Sequence, residues 1–455
     1  MKIKELWIEE YKNLKDFKIN FESDNPISVF IGNNGSGKSN MLESIVLIFK
    51  YLLLDEIDIP IFKYSIKYEC EGNNISIKQD ALDGYKIMIN DEQKDLSFLR
   101  SGYLGTRYLP DNILIYYSGF NKRMQNYTQK FDDDYRKSVE KSGNNSKRHM
   151  FYVNPDYFPL ILLSMLSSDL TSVHDFLKEK FNIEKIENFS IKFKQPRWAK
   201  NSNASIDTFW GAKDGNVKTF LSNLKRNQNE IKNENTFLFS GDKLKTIRED
   251  EHIGYDRDLY KMLDATYLDD LIDNVSVTLL KTTGEKVNDY NFSEGERQLL
   301  TIRGLVEFFD YKETLYLFDE PDTFLHPKWQ RDFIGEIENF IGEKNHFLIT
   351  THSPQVLSSM HENNVWTMEN GKIYSIDSNG LFGRDTNSIL EEVMETSEMS
   401  LKANKYIEKF SNAIAQKDVE SAEKWLVNLK EHLSEKDPFY TVAEMRIDRL
   451  KRKSN

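Results

Sequence analysis

The sequence predicts an α/β fold that carries an antiparallel β subdomain, a large and mostly helical insertion, and a small helical tail. Three observations support this prediction. An apolar, β-branched run, PISVFIG, leads into a glycine-rich loop and then into a segment with helical apolar spacing. After residue 295, helix and strand patterns alternate, as in parallel strands joined by helices. Residues 63–97 instead alternate apolar and polar side chains, which is typical of antiparallel strands.

The individual elements follow in chain order. LWIEEYKNLKDFKINF alternates around a Lys-Asn turn and predicts a hairpin, and turn signals at Gly72-Asn73-Asn74 and Asp83-Gly84 divide the next strands. Residues 120–150 are polar and weakly periodic, so they predict either a long exposed loop or a frayed helix. Helix patterns occupy 158–182 and 256–273, and VSVTLLKTTGEKVNDYNF predicts a hairpin that turns at Thr283-Gly284.

The last part of the chain alternates helix and strand patterns and ends in helices. The segments in order are GERQLLTIRGLVEFF, TLYLFDEP, HPKWQRDFIGEIENFI, HFLITTHSP and a hairpin, VWTMENGKIYSI. Residues 400–450 have helical spacing with a break at Lys-Asp-Pro-Phe. We therefore predict a divided α/β domain at 1–118 and 275–390, an inserted and mainly helical subdomain at 119–274, and a helical tail at 391–455.

Composition excludes several classes of protein. A chain of 455 residues is long enough for about two or three domains. No apolar run reaches roughly eighteen residues and the start, MKIKELWIEE, lacks the features of a signal peptide, so we expect a cytoplasmic protein without a membrane partner. One cysteine excludes intrachain disulfides and a Cys-x-x-Cys zinc site. A net charge of −12 argues against a protein that simply coats nucleic acid.

The glycine-rich loop GNNGSGKSN has the composition of a phosphate-binding loop. Glycines allow backbone N–H groups to turn inward around an oligophosphate at a helix N-terminus. Lys38 would reach the β and γ phosphates, and the Ser39 hydroxyl would bind Mg²⁺. The candidate nucleotide-binding residues are Gly32, Asn33, Asn34, Gly35, Ser36, Gly37, Lys38, Ser39 and Asn40. An ordinary glycine-rich turn is the alternative interpretation, which the strand before the loop and the helix after it disfavour.

Two apolar strands end in candidate catalytic residues. LYLFDEPD delivers Asp319, a candidate magnesium ligand, and Glu320, which could polarise an attacking water. FLITTHSP delivers His352, which could bond to the γ-phosphate or to that water. Taken separately, each could be structural, as an acidic turn or a structural histidine. Beside a phosphate loop, the catalytic interpretation is favoured.

In combination, these motifs resemble the ABC-type ATPases. The similar segments, in the order of that family, are Gly32 to Ser39 for Walker A, Phe292 to Gln298 (FSEGERQ) for the ABC signature, Leu315 to Glu320 for Walker B, and Thr351-His352-Ser353 for the switch histidine. The resemblance covers residues 1–60 and 275–385. It implies an ABC-type P-loop head, with ATP and Mg²⁺ as ligands and Lys38, Glu320 and His352 as catalytic residues.

The resemblance also implies that two heads meet head to tail. The signature loop of one chain would then close on the γ-phosphate bound by the other, so that Ser293, Gly295 and Glu296 contribute to nucleotide binding. Backbone N–H groups, a serine hydroxyl and a helix N-terminus make such an anion site. Ser293 and Glu296 also have the spacing of a capping box, and the two interpretations are compatible.

Within the family, Ser-Glu-Gly-Glu-Arg-Gln, the run DEPDTFLHP and the long middle resemble SMC and RecF-type ATPases. No sustained heptads occur, so the chain is more similar to stand-alone ATPases of bacterial anti-phage systems, such as the Septu ATPase and the ATPase half of OLD nucleases. Ser118 stands where the family often has the Q-loop glutamine, and His326 where transporters have the D-loop aspartate. Both departures leave the turnover rate open.

The resemblance therefore implies an ATPase that oligomerises through ATP-dependent head contacts and controls a separate effector, such as an HNH or TOPRIM nuclease or a toxin, in anti-phage defence. We expect no nuclease domain in this chain, because the segment after His352 is helical in pattern and lacks an Asp-x-Asp strand end. The alternatives are an SMC- or RecF-like ATPase of DNA repair or recombination, and an ATP-dependent scaffold or sensor with little turnover.

The inserted segment raises the question of DNA as a further partner. Residues 191–235 hold nine Lys or Arg against four Asp or Glu. Five aromatic residues are interleaved with these charges, namely Phe193, Trp198, Phe209, Trp210 and Phe220. Basic and aromatic residues together can bind a nucleic-acid strand. The alternative, which we favour, is a surface subdomain whose aromatic side chains form its core.

Overall fold

The computed structural model describes the chain apart from residues 22–24, 55–61, 81–83, 103–106, 120–122, 145, 146, 201–203, 234, 250–254, 343, 361–363, 377–380, 382, 387, 390–400, 431–437 and 455. For residues 231–233, 401–404, 430, 438 and 452–454 it describes only the backbone. The described residues form two compact units, Met1–Phe382 and Gly383–Asn455. The predicted boundary at residues 390 and 391 lies outside the described residues.

The strands are numbered in chain order. They are β1 (Lys2–Tyr11), β2 (Leu14–Asn20), β3 (Ile27–Ile31), β4 (Tyr64–Cys70), β5 (Asn73–Asp80), β6 (Gly84–Ile89), β7 (Glu92–Lys94), β8 (Asn112–Tyr117), β9 (Met150–Val153), β10 (Ile183–Phe193), β11 (Glu230–Asn233), β12 (Thr236–Ser240), β13 (Ile272–Lys281), β14 (Lys286–Asn288), β15 (Thr314–Asp319), β16 (Asn345–Thr350), β17 (Val365–Glu369) and β18 (Lys372–Ser375).

The helices are numbered in the same way. They are α1 (Lys38–Leu53), α2 (Leu96–Ser101), α3 (Arg123–Ser142), α4 (Phe158–Leu166), α5 (Thr171–Phe181), α6 (Asn216–Asn227), α7 (Lys243–Arg248), α8 (Asp256–Leu268), α9 (Glu294–Phe309), α10 (Pro327–Glu338), α11 (Pro354–Leu357), α12 (Leu401–Ala415), α13 (Val419–Lys430) and α14 (Pro438–Ser454).

The sheet that carries the predicted motifs has the strand order β18-β17-β3-β16-β15-β8-β9. Neighbouring strands from β17 to β9 are parallel, and β18 pairs with β17 in the antiparallel direction. Every residue of β3, β15 and β16 is buried, as expected for parallel strands covered on both faces. Because these strands run in one direction, their carboxyl ends lie at the same edge of the sheet.

The antiparallel subdomain is confirmed. Its strands have the order β2-β1-β4-β5-β6-β7, and β1 pairs with β2 as the predicted hairpin. The inward side chains of this sheet and of α1 share one apolar core with the parallel sheet, which includes Ile8, Phe49, Ile66 and Leu317. The subdomain is therefore packed on the helix that follows the phosphate loop.

The insertion is mostly helical, as predicted, but its details differ from the sequence-based expectation. Of the two alternatives for 120–150, the structure has a helix, α3, with Phe131, Tyr135 and Val139 buried along one face. The helix predicted at 158–182 is two helices, α4 and α5. Strands β10 to β14 form an additional antiparallel sheet in the order β11-β12-β10-β13-β14.

The end of the insertion also differs from the sequence-based expectation. The helix predicted at 256–273 ends at Leu268, because the chain then enters β13, which pairs along its length with β10. The predicted boundary between 274 and 275 falls within β13. The hairpin that turns at Thr283-Gly284 is confirmed by the pairing of β13 with β14.

The second unit consists of α12, α13 and α14, so the predicted helical tail is confirmed. Its apolar core includes Phe410, Ala422, Leu429 and Tyr440. The predicted break falls before α14, which begins with Pro438, a residue suited to the first turn of a helix. Among the described helices of both units, none combines the length and the apolar content that crossing a membrane requires.

Candidate functional site

The phosphate loop, residues 32–40, joins β3 to α1 at the carboxyl edge of the parallel sheet. Gly32, Gly35 and Gly37 have φ angles of 145°, 82° and 116°, a region that side chains other than glycine rarely adopt. A Cβ on Gly32 would lie 2.2 Å from the carbonyl oxygen of Met368 on β17. Backbone strain and the close neighbouring strand thus both require glycine at the start of the loop.

The Lys38 side chain folds back onto this loop. Its Nζ donates hydrogen bonds to the carbonyl oxygens of Gly32, at 2.7 Å, and Asn33, at 3.3 Å. Burial lowers the pKa of Lys38 to about 8, although the nearby Glu320 and Asp319 carboxylates act in the opposite direction. The ammonium group is therefore enclosed at the edge of the sheet, next to the ends of the strands that carry the acidic residues.

Asp319 is the last residue of β15 and is 1% exposed. The Thr350 hydroxyl, at the end of β16, donates to Oδ1 of its carboxylate, and the Ser39 hydroxyl lies close enough to act against the rise in its pKa. Burial raises the pKa of Asp319. Its Oδ2 atom is buried and has no hydrogen-bond partner among the described residues. A cation bound beside Ser39 and Asp319 would satisfy this oxygen.

The donor set also fits magnesium chemically. Mg²⁺ is usually bound by one or two carboxylate or hydroxyl oxygens of the protein, together with water and substrate phosphates. Within the described part of the chain, no group of three or more His, Cys, Asp or Glu side chains could hold a metal ion. One carboxylate and one hydroxyl, as at Asp319 and Ser39, suit an ion that arrives with a nucleotide.

Glu320 and His352 meet at the same edge. Glu320 has a φ of 54°, and its backbone N–H donates to the carbonyl oxygen of Thr350 at 3.0 Å. Its Oε1 lies 3.3 Å from Nε2 of His352, and both side chains are 33% exposed. The hydrogen bond from His352 lowers the pKa of Glu320. The carboxylate is thus ionised, solvent-accessible and held in a conformation that few residues adopt.

A second pair of residues, not identified from the sequence, connects the same two loops. Asp322 is 4% exposed and accepts a hydrogen bond of 2.8 Å from the Thr351 hydroxyl. That hydroxyl in turn accepts the backbone N–H of Ser353 at 2.9 Å. Burial raises the pKa of Asp322 to about 6. The only available signal was position, because Asp322 follows Glu320 and Thr351 precedes His352.

The signature turn, residues 292–298, has the predicted capping box. Ser293 Oγ accepts the backbone N–H of Glu296 at 3.3 Å, and the Glu296 carboxylate accepts the backbone N–H of Ser293 at 2.8 Å. Ser293 is exposed, whereas Gly295 is buried, and a Cβ on Gly295 would lie 2.4 Å from the carbonyl oxygen of Phe324. Packing within the chain therefore requires this glycine, and the Ser293 end of the turn faces outward.

The structure brings some predicted residues together and leaves others apart. Lys38, Ser39, Asp319, Glu320 and His352 share the carboxyl edge of the sheet. Among the described residues, no hydrogen bond joins the phosphate loop to the turn that contains Ser293, Gly295 and Glu296.

The two departures from the family pattern have clear positions. The Ser118 backbone N–H donates to the carbonyl oxygen of Asp319 at 3.3 Å, and its hydroxyl lies 3.2 Å from that of Thr323. Ser118 is therefore beside the acidic strand end. His326 is exposed, and its Nδ1 accepts the backbone N–H of Lys328 at 3.3 Å. In this chain that histidine caps α10.

The basic and aromatic segment of the insertion has the character of a packed subdomain. Four of its five aromatic side chains are buried, namely Phe193, Phe209, Trp210 and Phe220. Trp198 is 36% exposed, but its indole N–H donates to the Asp269 carboxylate at 3.1 Å. Lys194 and Arg197 both pair with Asp270. These contacts favour the core interpretation over a DNA-binding surface.

Comparison with known proteins places this geometry in a family. The model of the family described as "AAA domain, putative AbiEii toxin, Type IV TA system" matches residues 27–358. The match begins at β3, just before the phosphate loop, and ends after the loop that carries His352. It therefore includes every candidate residue described above, and the insertion as well.

The sequence identity to individual relatives is low. The chain is 23% identical to the "Retron Ec83 probable ATPase" of Escherichia coli over an alignment of 515 positions, which covers 99% of this chain and 87% of that protein. It is 26% identical over 211 residues to the "Septu protein PtuA" of Bacillus thuringiensis, covering 41% and 52%. A solved structure, the SMC head domain from Thermotoga maritima, matches 83% of this chain and 100% of that one, with 13% identity and a TM-score of 0.36.

Proposed function

The chain belongs to the family of AAA domains that its match over residues 27–358 defines, and on that basis we propose that it is an ATPase that binds and hydrolyses Mg²⁺·ATP at the carboxyl edge of its parallel sheet. One observation carries the proposal. Lys38, Asp319, Glu320 and His352 come from three separate segments and lie together at that edge. Relatives of this chain named as probable ATPases support it.

The phosphate-binding roles follow from the contacts. Lys38 would exchange the carbonyl oxygens of Gly32 and Asn33 for phosphate oxygens, which are stronger acceptors because they are charged. Ser39 and Asp319 would hold Mg²⁺, and the unpartnered Oδ2 of Asp319 supports that assignment. When bound, the ion neutralises negative charge on the phosphate oxygens.

The hydrolytic step would use Glu320 as a base. A water oxygen attacks the γ-phosphorus, the bond to the bridging oxygen breaks, and ADP leaves with that oxygen. Glu320 accepts the water proton, which its ionised carboxylate can do. His352 orients the carboxylate through their 3.3 Å contact. Glu320 and His352 are both accessible to a bound substrate, as this step requires.

The finer part of the proposal concerns assembly. Two chains would associate head to tail, with ATP in the phosphate loop of one chain and the Ser293, Gly295 and Glu296 turn of the other chain against its γ-phosphate. The exposed Ser293 hydroxyl and the N-terminus of α9 support this arrangement. In the single chain the Glu296 carboxylate accepts both the hydroxyl and the backbone N–H of Ser293 at 2.8 Å, and a γ-phosphate would replace it there. ADP lacks the bridging phosphate, so association would depend on ATP.

We further propose that the assembly controls a separate effector, a nuclease of the HNH or TOPRIM type or a toxin, in anti-phage defence. The names of the relatives, a retron ATPase and a Septu protein, support a role of this kind. Co-purification of this chain with the product of a gene beside its own, in the presence and absence of ATP, tests that step. A partner whose activity does not respond to nucleotide would contradict effector control.

The enzymatic proposal has its own experiment. The purified chain is titrated with Mg²⁺·ATP by calorimetry, phosphate release is measured, and molar mass is determined by light scattering with ATP and with ADP. We expect saturable binding that Lys38→Ala abolishes, and a larger particle with ATP than with ADP. Absence of nucleotide binding by the wild-type chain would overturn the proposed function.

A further inference from the structure

Two β turns contact the phosphate loop on its outer side. The first is the turn between β1 and β2, where the Asn13 amide donates to the carbonyl oxygen of Gly35 at 2.9 Å. The Oδ1 of the same side chain accepts the Asn40 amide at 2.7 Å. Asn13 therefore joins the middle of the phosphate loop and the first turn of α1 to the antiparallel subdomain.

The second turn lies between β17 and β18. The Gly371 backbone N–H donates to the carbonyl oxygen of Ser36 at 2.8 Å. Gly371 has a φ of 78°, and a Cβ at this position would lie 1.9 Å from the carbonyl oxygen of Asn13. The two turns thus contact each other as well as the loop, and adjacent carbonyl groups of the loop, at Gly35 and Ser36, each have an outside donor.

These contacts fix two successive peptide groups of the loop. One is Gly35–Ser36, whose N–H donates to the carbonyl oxygen of Asn33 at 3.1 Å, and the other is Ser36–Gly37. In a planar trans peptide the C=O and N–H groups point in opposite directions. Holding the Ser36 carbonyl against Gly371 therefore directs the Gly37 N–H away from that turn. Without such partners, a loop of three glycines would populate many peptide orientations, and ordering them on binding would reduce the affinity for phosphate.

We propose that Asn13, together with the Gly371 turn, is a positioning residue that preorganises the phosphate loop for nucleotide. This inference rests on the proposed function, since it concerns the same site. It assigns a role to residues that the sequence identified only as the turns of two hairpins, and it makes the antiparallel subdomain part of the nucleotide site. The binding energy would otherwise be partly consumed in ordering the loop.

The main test uses Asn13→Ala in the full chain, with Mg²⁺·ADP and Mg²⁺·ATP as probes. Loss of the two Asn13 hydrogen bonds, to Gly35 and from Asn40, should raise Kd about five- to tenfold for both nucleotides. In turnover, KM should rise with kcat little changed, because the substrate and the transition state lose the same contact. Asn13→Asp retains an acceptor for Asn40 but cannot donate to Gly35, so it should weaken binding at least as much.

The chain provides a matched control in Asn73, at the opposite end of the same sheet. Its amide donates to the carbonyl oxygen of Glu71 at 3.1 Å, and its Oδ1 accepts the Asn90 amide at 2.7 Å. Like Asn13, it therefore donates one side-chain hydrogen bond to a backbone carbonyl and accepts one from another asparagine. Asn73→Ala should have the same effect as Asn13→Ala on the melting temperature without nucleotide. Only Asn13→Ala should reduce the increase in melting temperature that nucleotide causes.

Glycine substitutions test the second turn. Gly371→Ala and Gly72→Ala place the same side chain at φ angles of 78° and 73°, but a Cβ on Gly72 meets no atom within 4 Å. Both variants carry similar backbone strain, so the additional loss of nucleotide affinity in Gly371→Ala measures the contact with Asn13. Equal affinities in the two variants would overturn the role of the Gly371 turn.

The outcomes distinguish the two levels of the proposal. If the wild-type chain binds nucleotide and Asn13→Ala binds equally well, the positioning role is wrong and the proposed function stands. If Asn13→Ala lowers only the melting temperature without nucleotide, Asn13 is structural and the inference is overturned. A wild-type chain that binds no nucleotide would overturn both.

Discussion

The Glu320 carboxylate lies 3.3 Å from Nε2 of His352, across the ends of the neighbouring parallel strands β15 and β16. A backbone hydrogen bond supports this contact, because the Glu320 N–H donates to the carbonyl oxygen of Thr350, two residues before the histidine. The histidine keeps the pKa of the carboxyl group below its usual range. A base that is ionised and oriented in this way is ready to accept a proton from water.

The first prediction concerns Glu320→Gln. Since an amide cannot accept the water proton, we expect hydrolysis to fall by about 100-fold or more, the usual contribution of a general base. The affinity for ATP should stay within about twofold, because the amide has nearly the same shape. Phosphate release and calorimetry measure the two effects. Glu179→Gln, on the exposed face of α5, is the control and should not change either value. Unchanged turnover in Glu320→Gln would refute the role of Glu320 as the base.

The second prediction concerns pH. The Glu320 pKa is lowered chiefly by the hydrogen bond from His352, so the base stays deprotonated to a lower pH in the wild type. In His352→Ala the pKa of Glu320 should rise, and the acidic limb of the kcat profile should move to higher pH. A profile of kcat against pH in both proteins measures the shift. An acidic limb at the same pH in the variant would show that this contact does not tune the base.

The third prediction is that replacing Lys38 increases folding stability while it removes nucleotide binding. Burial lowers the pKa of Lys38 to about 8, so the buried charge destabilises the folded state fully below pH 8. This destabilisation declines as the pH rises from 8 towards about 10.4, the pKa of lysine in the unfolded chain. Lys38→Met should therefore gain roughly 1–2 kcal/mol of unfolding free energy at pH 7, after the lost hydrogen bonds to the loop are counted. Denaturant unfolding at pH 7 and pH 10 measures it.

That gain should shrink at the higher pH, because the wild-type lysine is then neutral in the folded state. Nucleotide binding should be lost in the same variant at both values of pH. A Lys38→Met protein that is less stable than the wild type at pH 7, or whose advantage grows with pH, would contradict this account of the buried ammonium.

The fourth prediction separates the two roles of Ser293. Aspartate is as good an N-cap as serine, so Ser293→Asp should preserve α9. A modest fall in melting temperature is expected, because the new carboxylate lies beside that of Glu296, which Ser293 Oγ contacts at 2.8 Å. Its negative charge would, however, repel the γ-phosphate presented by a second chain. We expect ATP-dependent association, measured by light scattering in the Glu320→Gln background, to be abolished while ATP binding by the single chain is retained.

The control for this substitution is Ser205→Asp, since Ser205 also accepts the N–H of a following residue at the start of a short helix in the insertion. It adds the same charge to a similar exposed cap and should leave association intact. If both variants associate normally with ATP, the signature turn does not contact the nucleotide of a neighbouring chain.

The sequence predicted the local parts of this site well because each depends on adjacent residues. The glycines that need positive φ, the lysine and the serine of the phosphate loop are contiguous, and the Ser293 capping box spans one helical turn. Residues that act through partners distant in sequence were missed. Asp322 has its role through Thr351, and Asn13 through Gly35, and neither pairing leaves a pattern in a single sequence.

In the insertion, too, the features that depend on contacts between distant segments were not predicted. Apolar spacing predicted helices at 158–182 and 256–273 but not α6 or α7. Strands β10 to β12 were not recognised, because each depends on pairing with a strand elsewhere in the sheet. The sequence alone determined the strand, loop and helix around Lys38, the strands that end at Asp319 and Thr350, and the residues proposed to carry the chemistry. Only the tertiary structure decided that β16 lies between β3 and β15, so that the three strand ends converge. Strand order is set by burial and hydrogen bonding between distant segments, which the spacing within one segment does not encode.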